Sequence, residues 1–142
     1  MGKPAAKILE AIGVTPPPGV RLIVCEASAN HPFVVHELMM PVLGLVRVPD
    51  VDAAIDLAVE LEHGNRHTAV MHSLNVSKLT RMGKLIQTTI FVKNGPSYNG
   101  IGIGGEGYPT FTIAGPTGEG LTSARSFTRK RRCVLVGDLN VR

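Results

Sequence analysis

Few residues in this chain of 142 have types and spacings that could do chemistry. Gly102-Ile103-Gly104-Gly105-Glu106-Gly107 carries the G-x-G-x-x-G spacing of a pyrophosphate-binding turn. Such a turn needs a strand leading straight in and a helix opening at the third glycine, so that free amides face the anion. Here Tyr108, Pro109 and Thr110 come next, which favours extended chain, and Val92 lies well upstream. The stretch therefore reads as a loop whose backbone passes close to something bulky or adopts positive φ. His63 and His67 are four apart, but Gly64 and Asn65 interrupt any helix that would put both on one metal-binding face. His31, His36 and His72 have no acidic companion at ligand spacing, so all five histidines read as polar contacts at element ends. Cys25 closes one apolar run and Cys133 lies in another, so both read as packed thiols. Glu37 is an acid among apolar residues at a strand entry, well placed to accept hydrogen bonds from a sugar hydroxyl.

The elements that must hold these residues are set by periodicity. Pro4 suits a first helical turn, Ile8, Leu9 and Ile12 share a face, and Gly13 can end the helix. Runs at 20–25, 41–48, 67–73 and 88–92 read as strands, the first as a buried one. Residues 31–40 read as a short helix or turn. Asp50 is a candidate N-cap for a helix with Val51, Ile55, Val59 and Leu61 inward and Gly64 as its stop. Asn75 can cap another, with Val76, Leu79, Met82 and Ile86 inward. Strand, helix and strand in alternation predict an α/β fold with a parallel βαβαβ sheet. Ligands gather at the carboxyl ends of such strands, which directs attention to the glycine-rich loop at 94–109.

Composition agrees. The chain is 44% hydrophobic and 18% charged, enough to bury a core, and its four Phe, two Tyr and no Trp leave that core to aliphatic residues. The net charge of +4 favours an anionic partner without naming one. Two cysteines make neither a disulfide framework nor a zinc site, so a reducing cytoplasm is the expectation. The first residues lack the apolar core of a signal peptide, and no apolar run is long enough to span a membrane. Residues 117–124 suggest a short helix. From Arg125 a basic strand runs to Val136, a ribbon of the kind that pairs with another chain. RNA binding by this cluster would want interleaved aromatics, and Phe127 stands alone.

Taken together, "HPFVVHELMMPVLGLVRV", "EHGNRHTA", "FVKNGPS" and "GPTGEGLTSAR" resemble the C-terminal part of the catalytic domain of CoA-acylating aldehyde dehydrogenases. The propionaldehyde and acetaldehyde enzymes of bacterial microcompartments are the nearest in pattern. The resemblance implies oxidation of a short aldehyde by NAD, with acyl transfer through a cysteine thioester to coenzyme A. It implies that Glu37 holds the nicotinamide ribose with Met39 beside the cofactor, and that the loop from Asn94 to Ile101, with Pro96 and Ser97, walls the aldehyde pocket. It implies a division into residues 1–124, catalytic-domain segment, and 125–142, a terminal strand that joins subunits. Relatives in this family are several times longer, and neither Cys25 nor Cys133 falls in their nucleophile motif. The expectation is thus a fragment, inactive alone, in the cytoplasm or a microcompartment, whose partners are copies of itself or the remainder of the enzyme. A non-catalytic assembly subunit and a small nucleic-acid-binding domain are the alternatives.

Overall fold

A computed structural model describes residues 2–110, 112–114 and 120–137. They form two compact units, divided between Gly64 and Asn65.

In the first unit, α1 (Ala5–Ala11) begins after Pro4, whose carbonyl accepts from the Lys7 and Ile8 amides, and Gly13 at φ +76° takes the chain out of the helix. The strand β1 (Ile23–Glu26) pairs in parallel with β2 (Val42–Leu45), in a register that sets Ile23 beside Val42 and Glu26 beside Leu45. The crossover carries α2 (Pro32–Val35). A Cβ on Gly44 would stand 2.6 Å from the Phe33 carbonyl oxygen and 2.9 Å from Val34 Cγ2, so glycine is what lets α2 lie against β2. Alternation then points Ile23, Cys25 and Val42 the same way as Gly44, toward α2, and Val24, Glu26, Leu43 and Leu45 the other way, where they are exposed. The first of these strands reads from sequence as buried; Val24 and Glu26 on its outer face are exposed instead. The helix α3 (Val51–Leu61) starts where expected, with the Asp50 carboxylate accepting from the Ala53 amide at 2.8 Å. Ile55 is buried on it, while Val51, expected inward, is exposed.

In the second unit β3 (Thr68–Met71) pairs in parallel with β4 (Ile90–Lys93), joined by α4 (Val76–Ile86). The Asn75 side chain accepts from the Lys78 amide, and Gln87 in the left-handed region ends the helix. Leu79, Met82 and Ile86 form the buried stripe. Val76, predicted to join it, occupies the first helical position and lies exposed. Ile90 and Val92 of β4 form the core with Ile101, and Ile113 and Leu121 pack against it. Those last two come from a short antiparallel pair, β5 (Ile113–Ala114) and β6 (Gly120–Leu121).

The chain's end departs from expectation. Of the helix predicted over 117–124, residues 117–119 lie outside the described residues and Gly120–Leu121 is strand. The long strand read from Arg125 is instead a 3-10 turn over Ala124–Phe127, closed by a Ser123–Ser126 capping box, and residues 128–137 carry neither helix nor strand. Strand geometry persists where a ladder pairs it, and the described residues offer this segment no partner strand. Among the described residues no helix is long and apolar enough to cross a membrane.

Candidate functional site

The clearest concavity of the first unit is a cleft of about 540 Å³ between the α2–β2 connection and α3. Its apolar wall comes from Phe33 and Val34, from Val42, Val46 and Val48, and from Leu57 and Leu61 of α3. His36, Glu37, Leu38, Met39 and Met40 line the same space. Local chemistry sets this loop. The His31 Nδ1 accepts from the Phe33 amide at 3.1 Å and so caps α2, with Pro32 behind it at the first helical position. Its ring stands edge-on to Phe33, 4.9 Å between centroids. Met39 then takes φ +50°, and the Met40 carbonyl accepts from the Val42 amide, turning the chain into β2. Glu37 and Met39, the two residues singled out for a cofactor, therefore share one cleft, and both are exposed in it. Among the described residues nothing donates a hydrogen bond to the Glu37 carboxylate. An unpartnered acceptor beside an apolar wall and a thioether suits a ligand with hydroxyl donors on one side and a flat apolar ring on the other.

The loop after β4 is organised by two asparagines. Asn94 takes φ +54°, and its side chain is used up on one neighbour: Oδ1 accepts from the Ser73 amide at 2.7 Å, and Nδ2 donates to the Ser73 carbonyl at 3.0 Å. This ties the end of β4 to the segment that leaves β3. A 3-10 turn over Ser97–Ile101 comes next, with Pro96 before it, and Ile101 turns back into the core on Ile90 and Val92. Of the four residues expected to wall a pocket, Asn94 and Ile101 thus hold the loop itself, while Pro96 and Ser97 face solvent.

The same turn accounts for the glycines. Asn99 Nδ2 donates to the Gly104 carbonyl at 2.7 Å and to the Ile103 carbonyl at 3.3 Å. Gly102, Gly104 and Gly107 have positive φ, and a Cβ on Gly105 would stand 2.5 Å from the Asn99 carbonyl oxygen. The stretch folds back on the 3-10 turn, and no helix opens at Gly107. Its glycines serve close backbone packing rather than a pyrophosphate cradle. Sequence reasoning had no handle on Asn99, whose acceptors are backbone carbonyls of a loop with no repeating pattern.

The other candidates settle locally. Cys25 is half-buried, and its Sγ lies 3.7 Å from the Leu43 carbonyl oxygen. Cys133, expected to pack, is exposed, because the strand that was to carry it inward is not formed. His67 Nδ1 and Thr68 Oγ1 are 2.7 Å apart. Among the described residues no group of three His, Cys, Asp or Glu side chains is arranged to hold a metal. Sequence reading also passed over Thr122, which is buried, donates to the Thr112 carbonyl and sits 3.3 Å from the Thr110 hydroxyl.

No family model matches the chain. Individual proteins do. It is 57% identical over 136 residues to the acetylating acetaldehyde dehydrogenase EutE of Salmonella typhimurium, covering 96% of this chain and 29% of that protein. It is 52% identical over 143 residues to the CoA-propanoylating propanal dehydrogenase of the same organism, covering 100% and 31%. Among solved structures, an engineered glycolyl-CoA reductase with bound NADP+ matches with a TM-score of 0.87 at 65% identity, over 100% of this chain and 32% of that one. Propionaldehyde dehydrogenase of Rhodopseudomonas palustris, with bound CoA and an acylated cysteine, matches at 0.87 and 65%, over 95% and 31%. A third, from the fucose utilisation microcompartment of Clostridium phytofermentans, matches at 0.86 and 53%, over 100% and 33%. The chain belongs to the CoA-acylating aldehyde dehydrogenases. It spans about three-tenths of the length of the relatives it matches.

Proposed function

We propose that the chain forms the C-terminal part of the catalytic domain of an NAD-dependent, CoA-acylating aldehyde dehydrogenase. The overall reaction takes a short aldehyde, coenzyme A and NAD to acyl-CoA, NADH and a proton. The observation that carries the reading is the cleft beside α3, where the unpartnered Glu37 carboxylate and the exposed Met39 side chain meet. Glu37 would hold the nicotinamide ribose by accepting its hydroxyl hydrogen bonds and Met39 would offer the ring an apolar contact; NAD, when bound there, would supply the hydride acceptor. An NADP-bound relative makes the phosphorylated cofactor the second one to assay. Pro96 and Ser97, exposed on a loop that Asn94 and Ile101 anchor, would border the aldehyde.

Thioester formation needs an activated thiol near this cleft. Cys25 lies half-buried under α2, and Cys133 sits in an exposed basic segment. Neither serves as the nucleophile, so the chain is inactive until the remaining part of the enzyme supplies one. The segment Arg132–Val136, apolar at its end and exposed, joins subunits as a strand once a partner edge is available. A microcompartment setting is consistent with the fucose-utilisation relative.

The test is spectrophotometric. Assayed with propanal, CoA and NAD, the chain alone yields no NADH. Joined to the part of the Salmonella propanal dehydrogenase that it does not match, it yields NADH. In the joined protein Glu37→Gln raises the KM for NAD roughly tenfold, the loss expected for hydrogen bonds to a charged acceptor. Turnover by the chain alone with both cysteines replaced overturns the reading.

A further inference from the structure

The residue that starts α2 is an unusual choice for its task. A helix start is best closed by the side-chain oxygen of Ser, Thr, Asp or Asn, an acceptor at any ordinary pH. Here the acceptor is a ring nitrogen: His31 Nδ1 lies 3.1 Å from the Phe33 amide. Pro32 has no amide to offer, so Phe33 is the first donor of the turn. The His31 carbonyl takes the next two, from Val34 at 2.8 Å and Val35 at 3.0 Å. One residue thus holds every amide of a helix four residues long, too short to persist on its own bonds. That hold reaches the cleft. The helix rests on Gly44 through Phe33 and Val34, which line the cleft, and the chain runs on from Val35 directly into His36, Glu37, Leu38 and Met39.

An imidazole accepts at Nδ1 only while that nitrogen carries no proton. Once protonated, the ring turns an N–H toward the Phe33 N–H, and the cap is lost. Among the described residues no carboxylate pairs with the ring. Of the charged groups on the neighbouring elements, Glu26 pairs with Arg47, and β2 carries none. Glu60 of α3 and His63 after it border a hollow with Asn30 and Val35, and His36 and Glu37 follow α2. We infer that His31 is a positioning residue for the cofactor: neutral, it holds α2 and the Glu37–Met39 loop in place, and protonated, it releases both, so that NAD binding weakens as pH falls through the titration of the ring. The effect on NAD rests on the proposed function; the release of the loop does not.

Two readouts test this, one of them independent of turnover. In the chain labelled at backbone amides and methionine methyls, NMR follows the Phe33 amide and the Met39 methyl from about pH 8 to about pH 5.5, the range in which an imidazole takes its second proton. Both signals should move with the His31 ring. His36→Gln, which removes the imidazole next to the loop, should leave that coupled step, and His31→Asn, whose amide oxygen caps at every pH, should abolish it. A step that survives His31→Asn overturns the inference, as does a Met39 methyl that ignores the His31 titration. The second readout uses the chain joined to the unmatched part of the Salmonella propanal dehydrogenase. There His31→Ala should raise the KM for NAD roughly threefold to fivefold near pH 8, with kcat and the KM for aldehyde unchanged. His31→Asn should restore the parent value and remove the extra rise that the parent shows at low pH. An unchanged KM for NAD in His31→Ala overturns the inference and leaves the functional reading standing. If the joined protein makes no NADH, the functional reading falls and the NMR titration still decides the role of His31.

Discussion

In β3–β4, Ile90 and Val92 are 5% and 8% exposed; in β1–β2, Val24 and Leu43 are 56% and 53% exposed. Both pairs are parallel, four residues long and rich in aliphatic side chains. The difference lies in where the chain goes after each pair. After β4 it turns through Ser97–Ile101 and returns Ile101 to the strand, and β5 and β6 add Ile113 and Leu121. After β2 it passes into α3, and Val24 and Leu43 stay exposed. A parallel pair is thus closed where local chain returns to it.

The sharpest way to break this comparison is to shorten one apolar side chain in each pair. Ile101→Ala removes a buried group from the closed cluster and should cost about 2–5 kcal/mol. Leu43→Ala removes an exposed one and should change stability by no more than about 0.5 kcal/mol. Urea unfolding of the two variants, combined with hydrogen exchange in each unit, checks both. Equal losses would mean that Leu43 is as well covered in solution as Ile101.

Much of this contrast was hidden in the sequence. The two helix starts were legible because caps are local: Asp50 and Asn75 bond amides three residues on. The strands were legible as strands, and their parallel sense came from the alternation with helices. Their burial was not, since an aliphatic run has the same composition whether or not a neighbour covers it. Glu37 and Met39 stood out only through the motif around them, and the cleft that joins them depends on α3, a helix away in sequence. The terminal ribbon failed for the same reason. A strand is a pairing, and its partner is not written in its own residues.

A second change acts on the open pair where it is most tightly built. Gly44→Ala puts a methyl group against the Phe33 carbonyl and the Val34 side chain. The backbone φ there is ordinary, so the cost is steric and should be about 1–3 kcal/mol. The consequence is local: α2 must lift, and the loop carrying Glu37 and Met39 moves with it. Thermal unfolding measures the cost. In the joined enzyme the KM for NAD should rise while the KM for aldehyde stays put, because the 94–101 loop is organised within the second unit. A rise in both constants would show that the two regions are not independent.

The smallest effect expected is at the periphery of the open unit, where an ion pair stands in for packing. Lys7 Nζ lies 2.7 Å from Glu10 Oε2 on α1, with the two side chains 65% and 46% exposed. The hydrogen bond to Glu10, and then its charge, hold the Lys7 pKa above its ordinary value of 10.5. A lysine whose folded pKa is raised keeps its proton at a pH where the unfolded chain has begun to lose it. Its contribution is therefore fully present below 10.5 and disappears as pH rises through the folded value. Water and salt screen a pair this open. Glu10→Gln should leave the unfolding midpoint at neutral pH unchanged within error, and the variant and the parent should coincide above the titration. A clear loss at neutral pH, persisting in high salt, would mean that α1 is held by charge rather than by the burial of Ala5, and the open unit would then be stabilised quite differently from the closed one.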